Sequence, residues 1–330
     1  MESPLEYAIG IDIGGTTTKF GIVNHRGEIS NVGDIVTNRH DDVNLFVDEL
    51  YQEMVPAIKA VGGIDRIKGI GLGAPNGNYY SGTIEYAPNL PWRGIIPIAK
   101  MITTKFNRPC TLTNDANAAA IGELMYGAAR GMRDFIMITL GTGVGSGIVA
   151  NGQLIYGHDG FAGELGHTII RPGGRLHWGT GMKGSLETYA SATGISITAK
   201  EILDERVNEK SLLRDIPHEE ITAKKVCDAA LKGDAISNEV FQITGQILGE
   251  ALANFVMFSS PEAIVLFGGV IKAGKLLLDP TRESMEKNLL PIFQNKVKLL
   301  FSELKESDAA ILGASALVWE IKPEALNGAR

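Results

Sequence analysis

The feature that most constrains this chain is a pattern it carries twice: an apolar strand, a turn of glycine and threonine, and a second strand. Asp12-Ile13-Gly14-Gly15 overlays Thr139-Leu140-Gly141-Thr142 at an offset of 127 residues, and Gly21-Ile22-Val23 overlays Gly147-Ile148-Val149 at 126. One deleted residue reconciles the two. A repeat of this kind marks a duplicated supersecondary unit. The competing explanation is coincidence, since glycine supplies 40 of 330 residues, well above the usual share of about 7%.

The periodicity around the repeat predicts an α/β architecture. Tyr7 to Asp12 reads as a buried strand, and Phe20 to Val23 forms a hairpin with Glu28 to Val32 across Asn24 to Gly27. Asp42 to Ala60 has helical spacing, with Leu45, Val47, Leu50, Met54 and Ile58 mostly on one face. Strand Ile67 to Leu72, helix Ile95 to Phe106, strand Cys110 to Thr113 and helix Ala116 to Tyr126 follow. After the strand Ile136 to Leu140, the stretch Gly157 to Gly184 is rich in glycine and lacks periodicity, which in a compact domain points to a working loop. Ser185 to Ala192, Thr222 to Leu231, Ala235 to Ser259 and Ala310 to Glu320 read as helices, and Ala263 to Phe267 as a buried strand.

Composition narrows the function. Apolar residues at 44% and charged residues at 21% fit a globular chain with a sizeable core. The length suggests two domains. With 31 basic against 38 acidic side chains and a net charge of −7, nothing favours nucleic acid or an acidic membrane as a partner. Cys110 and Cys227 are too few for a disulfide framework or a four-cysteine zinc site, as expected for a reducing cytoplasm. Residues 1 to 10 lack the pattern of a secretory signal, and no apolar run approaches the roughly 18 residues of a membrane span.

Asp12-Ile13-Gly14-Gly15-Thr16-Thr17-Thr18-Lys19 sets a carboxylate at a strand end before a turn without bulk. Such a turn lets backbone N–H groups and threonine hydroxyls approach phosphate oxygens, while Asp12 can hold Mg²⁺ or its waters. It is no Walker A loop, and G-x-G-x-x-G fails at Ser146. A plain hairpin whose glycines serve φ > 0 would look the same. The second turn, with Thr142, Gly143 and Gly145, favours the phosphate reading, since two opposed cradles can grip one polyphosphate. Gly268-Gly269, after a buried strand, adds a further backbone approach near a nucleoside or merely a turn. Asn114 and Asp115 stand where a strand meets a helix, where Asp115 alone would read as a cap. Glu164, His167 and Glu187 each have an ordinary account as well. Together with Asn114 and Asp115 they supply the acceptors and donor a polyhydroxylated ligand needs.

Asp-Ile-Gly-Gly-Thr at 12–16, Gly-Ala-Pro at 73–75, Pro-Asn-Leu-Pro-Trp at 88–92, Asn-Asp-Ala-Asn-Ala-Ala-Ala at 114–120, Leu-Gly-Thr-Gly-Val-Gly at 140–145 and Gly-Glu-Leu-Gly-His at 163–167 occur in this order. Over almost the whole chain this resembles the ROK group of bacterial sugar kinases and related transcriptional repressors. The resemblance implies the duplicated actin-like, hexokinase-like ATPase fold, with two domains flanking a cleft: 1–115 plus 310–330, and 116–309. It implies ATP and Mg²⁺ as cofactors, Asp115 as general base, and Asn114, Glu164, His167 and Glu187 as sugar-hydroxyl ligands, with Asn89 a weaker one. Gly14 to Thr17, Gly15 included, and Gly143 to Gly147 would bind the ATP phosphates, with Asp12, Lys19, Gly268 and Gly269 nearby. Self-association as a dimer or tetramer is a further implication.

One motif departs from the group. Its members commonly carry C-x-C-G-x-x-G-C-L-E, whose cysteines join the histidine of E-x-G-H on a structural zinc. Here 175–187 reads Arg-Leu-His-Trp-Gly-Thr-Gly-Met-Lys-Gly-Ser-Leu-Glu, without a cysteine. His167 and His177 alone cannot complete a tetrahedral site. The expectation is no structural zinc, with packing around Trp178 orienting His167. The leading function is an ATP-dependent hexose kinase forming glucose 6-phosphate, and the alternative is a kinase for N-acetylmannosamine, another hexosamine or fructose. A sugar-sensing repressor would need a helix-turn-helix segment before the Asp-Gly-Gly motif, and an actin-like ATPase that moves a partner would give no reason for Glu164, His167 and Glu187.

Overall fold

The computed structural model of the chain describes residues 6–320. These fall into two compact units, 6–132 with 154–162 and 303–320, and 133–153 with 163–302. The first unit runs through 132 rather than ending at 115, because the helix after Asn114 packs on the returning C-terminal helix of the same unit. Residues 321–330, expected in that domain, lie outside the described residues.

The first unit contains β1 (Tyr7–Ile13), β2 (Thr17–Asn24), β3 (Ile29–Val36), α1 (Val43–Ala60), β4 (Ile67–Gly73), β5 (Gly77–Asn78), β6 (Thr83–Glu85), β7 (Ile95–Ile96), α2 (Ile98–Phe106), β8 (Cys110–Thr113) and α3 (Asp115–Tyr126). The chain continues through β9 (Phe135–Leu140), β10 (Val144–Ala150), β11 (Gln153–Leu154), α4 (Glu187–Ala190), α5 (Ala192–Glu205), α6 (Ala223–Ala230), α7 (Ala235–Ser259), β12 (Ala263–Phe267), α8 (Lys275–Asn288) and β13 (Lys298–Phe301). It ends in α9 (Glu306–Glu320).

The two five-stranded sheets share one strand order. The first is β3-β2-β1-β4-β8 and the second β11-β10-β9-β12-β13. In each the opening hairpin is antiparallel and the last two strands run parallel to its first strand. The registers coincide once the repeat is aligned: Gly10 faces Gly21 in the first hairpin, and Met137 faces Gly147 in the second. The pairs closing the turns are Ile13 with Thr18 and Leu140 with Val144, so the residue deleted between the repeats is lost from the turn. This is the duplicated actin-like ATPase fold, and a three-stranded β5-β6-β7 sheet is added in the first unit.

Each unit has its own core. In the first, Ile9, Ile11, Ile13, Ile70 and Leu72 are completely buried beneath α1 and α2. The near-continuous apolar strands β1 and β4 are what a parallel sheet covered on both faces requires. Helix α9 lies against β1 and β4 at bare glycines: a Cβ on Gly10 would stand 2.1 Å from the Ile311 carbonyl oxygen, and one on Gly71 1.8 Å from that of Ala314. In the second unit α7 runs through the core with Phe241, Leu248, Leu252 and Val256 buried. It starts at Asp234, whose carboxylate accepts from the Ser237 N–H at 2.8 Å.

Several local expectations change. Leu45 is 52% exposed and Phe46 takes its place on the buried face of α1, because Phe46 packs on Trp92 from a distant loop. Ser185 to Ala192 is not one helix: Ser191 breaks it by capping α5 through the Gly194 N–H. Helix α8 escapes the periodicity because Pro280 lies inside it, normally a breaker. Its contact with α7 compensates, since Gly245 and Gly249 admit Pro280 and the Thr281 backbone at 2.6 and 2.4 Å from where their Cβ atoms would stand. Among the described residues no helix is long and apolar enough to cross a membrane.

Candidate functional site

In the first unit three parallel strands end side by side. Asp12 in β1 pairs with Gly73 in β4, and Gly73 with Thr113 in β8. The carboxyl ends of parallel strands are where open α/β sheets place their ligands. Two carboxylates converge there around an absent side chain: a Cβ on Gly73 would stand 3.6 Å from Asp12 Oδ1 and 4.0 Å from Asp115 Cα. Asn114 caps α3 by accepting from the Asn117 N–H at 2.7 Å, which frees Asp115 from capping duty and sets it in the first turn. There its Oδ1 accepts from the Ala116 N–H at 2.9 Å.

Both carboxyls are perturbed. Asp12 is pushed up to about 6, chiefly by burial and next by the charge of Asp115, with Lys19 pulling the other way. Asp115 is also raised, by the protein mass around it, with the Ala116 N–H offsetting part of the effect. Its surface nevertheless remains open to solvent, so the group is crowded yet reachable. A carboxylate in that condition is a strengthened proton acceptor.

The first glycine turn lies beside these groups in sequence and register. Neither Gly14 nor Gly15 has a positive φ, so a hairpin requirement for φ > 0 does not explain them. Space does: a Cβ on Gly15 would stand 2.7 Å from the Asn89 carbonyl oxygen. Asn89 is thereby set, exposed, against the turn. The turn is closed by the Gly14 N–H bonding to the Thr17 carbonyl at 3.1 Å, and pinned by the Thr37 N–H to the Thr16 carbonyl at 2.8 Å. Lys19 faces Asp12 across the hairpin.

In the second unit the shorter turn is held from behind by Glu187, the first residue of α4. Its Oε2 accepts from the Val144 N–H at 2.7 Å, and a Cβ on Gly143 would fall 2.4 Å from that oxygen. Its Oε1 lies 2.5 Å from Nε2 of His177, which is buried. The Gly145 N–H donates to Thr139 Oγ1 at 3.1 Å, and the exposed Thr142 accepts from Thr193 Oγ1 through its carbonyl at 2.9 Å. Gly268 has φ +103° and a vacant Cβ position 2.6 Å from the Leu140 carbonyl oxygen, which brings the ends of β12 and β9 together. Gly269 beside it opens onto free space.

Ser146, where the dinucleotide fingerprint fails, has a purpose of its own. Its hydroxyl donates to the Gly163 carbonyl and accepts from the Leu165 N–H at 3.2 Å, tying the Glu164–His167 segment to β10. Gly166 reinforces this, since a Cβ there would stand 2.0 Å from the Val144 carbonyl oxygen. His167 Nε2 lies 4.0 Å from Glu164 Oε2, and its Nδ1 is buried without a hydrogen-bond partner. An orphaned buried nitrogen is costly unless a ligand or water satisfies it.

The expected residues therefore gather in two sets: Asp12, Lys19, Gly14 to Thr17, Asn89, Asn114 and Asp115 in the first unit, and Thr142, Gly143, Gly145, Glu164, His167, Glu187, Gly268 and Gly269 in the second. His177 was missed as a partner of Glu187, and a buried histidine ten residues ahead of a carboxylate carries no sequence signal of that pairing. Trp178 stacks on His177 rather than on His167, at 4.5 Å and 21°, and the His177 ring in turn meets His167 at 5.4 Å. The aromatic packing expected to orient His167 thus acts through a second histidine.

The chain matches the family model described as ROK family over residues 8–321. It is 38% identical over 315 residues to a glucokinase of Halalkalibacterium halodurans, covering 94% of each chain. It is 32% identical over 318 residues to a glucokinase of Thermotoga maritima, covering 94% of this chain and 97% of that one. A ROK family glucokinase from Streptomyces griseus, solved in complex with glucose and AMPPNP, superposes with a TM-score of 0.76 at 32% identity, covering 94% of this chain and 98% of that chain. A family model spanning nearly all of the chain, relatives aligned end to end and the doubled strand order agree: this chain belongs to the ROK family.

Proposed function

We propose that this ROK family sugar kinase is a glucokinase, transferring the terminal phosphoryl group of ATP to the 6-hydroxyl of glucose with Asp115 as general base. The observation that carries the reading is Asp115 itself: a solvent-accessible carboxylate, raised by its crowded setting, at the ends of three parallel strands beside Asp12. As the hydroxyl oxygen bonds to the γ-phosphorus, its proton passes to the Asp115 carboxylate and the bond from phosphorus to the bridging oxygen breaks, releasing ADP. Glucose is favoured over N-acetylmannosamine and the other sugars by the glucokinases among the relatives.

The hydrogen bonds support a division of these groups between the two substrates. The N–H groups of Gly14, Gly141, Val144 and Gly145 are already used inside the protein. Phosphate oxygens are left the N–H groups of Gly15, Thr16, Thr142 and Gly143 and the hydroxyls of Thr16, Thr17 and Thr142, the buried Thr18 hydroxyl being bonded to Thr37. Asn114 offers its amide N–H, its oxygen being occupied by the α3 cap. His167, Glu164, Glu187 and Asn89 would take the remaining sugar hydroxyls. Asp12 would hold the Mg²⁺ that accompanies ATP, since a cation there offsets the burial that chiefly raises its carboxyl and the repulsion from Asp115 that adds to it. The ion supplies charge neutralisation on the phosphates.

An ADP-release assay with Mg-ATP across glucose, N-acetylmannosamine, N-acetylglucosamine, fructose and allose tests the assignment. We expect glucose to give the highest kcat/KM. Asp115→Asn should lower kcat by about 10²- to 10⁴-fold with little change in glucose KM. Equal low rates on all sugars, or undiminished turnover by Asp115→Asn, would refute the reading. A preference for an acetylated hexosamine would transfer it to the kinase of that sugar.

A further inference from the structure

The segment that carries a structural zinc in the group this chain resembles must hold its shape here by other means. His167, His177 and Glu187 present donor atoms within 4.8 Å of one another, so the cluster is a geometric candidate for a cation. Its hydrogen bonds argue against one. His177 Nδ1 accepts from the N–H groups of both Gly179 and Thr180, at 3.0 Å each. That nitrogen therefore carries no proton, and Nε2 does. The Nε2–H points at Glu187 Oε1, 2.5 Å away. To offer Nε2 to a metal, the ring would have to move its proton to Nδ1, directly against two N–H donors. Ser185 stands in the place of a ligand cysteine before Leu186-Glu187, and a neutral hydroxyl is a poor zinc ligand. A tetrahedral zinc does not fit these residues.

We propose that His177 replaces the metal with a hydrogen-bonded clamp and is the positioning residue for Glu187. One edge of the ring gathers the 177–180 turn, and the opposite edge fixes the Glu187 carboxylate, whose other oxygen grips the Val144 N–H of the phosphate turn. Trp178 covers one face of the ring and His167 meets it edge to face. Because Gly143 has no Cβ, Glu187 can come this close to the turn. His177 itself is 4% exposed; it acts by denying Glu187 any other rotamer. The functional half of this proposal rests on Glu187 as a sugar-hydroxyl ligand.

Two substitutions separate the two edges of the ring. In His177→Asn the side-chain oxygen can accept from the N–H groups two and three residues on, as an Asx turn does, but the side chain is too short to reach Glu187. In His177→Gln the amide N–H reaches Glu187 and the turn contact is lost. We expect His177→Asn to keep a melting temperature near that of wild type while its sugar KM rises about tenfold or more at little changed ATP KM. His177→Gln should restore the sugar KM to within about threefold. A sugar KM unchanged in His177→Asn, or equally raised in both variants, would overturn the proposal. Independently of activity, nitrogen NMR of the wild-type protein should find His177 as the Nε2–H tautomer. Metal analysis should find no stoichiometric zinc, and a chelator should leave the melting temperature unchanged. The Nδ1–H tautomer, or a bound zinc whose removal lowers the melting temperature, would end the clamp. If the NMR and metal results hold while no sugar is turned over, the failure lies with the kinase assignment.

Discussion

Replacing Asp12 by asparagine should make the unliganded protein more stable and far less active. Burial and the neighbouring Asp115 charge lift the Asp12 carboxyl from 3.8 to about 6. At 1.36 kcal/mol per tenfold change in proton affinity, ionising it in the folded protein costs about 3 kcal/mol. Asp12 keeps some access to water, so solvent screening brings the expected net effect down to about 1–2 kcal/mol. The sign follows from linkage. Between pH 4 and 6 the folded protein keeps a proton that the unfolded chain has released, so wild-type stability falls as pH rises and levels off above 6. Asparagine carries no such proton. The variant should therefore melt about 1.5–3 °C higher than wild type at pH 7.5, and by pH 4.5 only about a third of that gain should remain. Thermal unfolding of both proteins without ligand at the two pH values measures it. Loss of ATP-dependent turnover should accompany the gain, since a strained charge at a working site is held at the expense of stability. A melting point at pH 7.5 equal to or below that of wild type, or a gain as large at pH 4.5, would refute the electrostatic account of Asp12.

Two further substitutions test the scaffold. Gly71→Ala would drive a methyl to 1.8 Å from the Ala314 carbonyl oxygen in the backbone of α9; we expect a loss of about 3 kcal/mol or more in urea unfolding, because a helix rather than a side chain must move. Asp234→Ala should cost about 2 kcal/mol at pH 7, since its carboxylate caps α7 through Ser237 and also holds Ser211 and the Leu212 N–H. Burial alone would raise that carboxyl, but these hydrogen bonds hold it below its ordinary value. The difference between wild type and variant should therefore shrink as acid protonates Asp234, and a difference independent of pH would contradict the assignment.

Much of the framework could be read locally. The offset between the repeats foretold two hairpins of matching register, and even the deleted residue, which falls in the second turn. That legibility has a cause: hairpin register depends on residues close in sequence, and buried parallel strands leave nearly continuous apolar runs such as Ile136 to Leu140. The limits of the domains were less legible. Helix α3 reads as the start of a new stretch after Asp115, yet it packs on α9, which lies nearly 200 residues further along the chain. Phe46 and Leu45 are equally apolar neighbours, and the choice between them belongs to Trp92.

The sequence by itself determined that this chain is a doubled α/β protein with two glycine turns, a carboxylate at each of two strand ends, and a loop that has lost its cysteines. These follow from covalent order and from periods of two and 3.6 residues, which act over a few neighbours. Tertiary structure decided what the glycines are for, since Gly15 and Gly143 answer to an Asn89 carbonyl and a Glu187 carboxylate rather than to their own torsion angles. It also decided which nitrogen of His177 bears the proton and which oxygen of Glu187 receives it. Lone pairs and ångström-scale vacancies are filled by whatever segment the fold brings alongside, and a linear order of residues does not specify that neighbour.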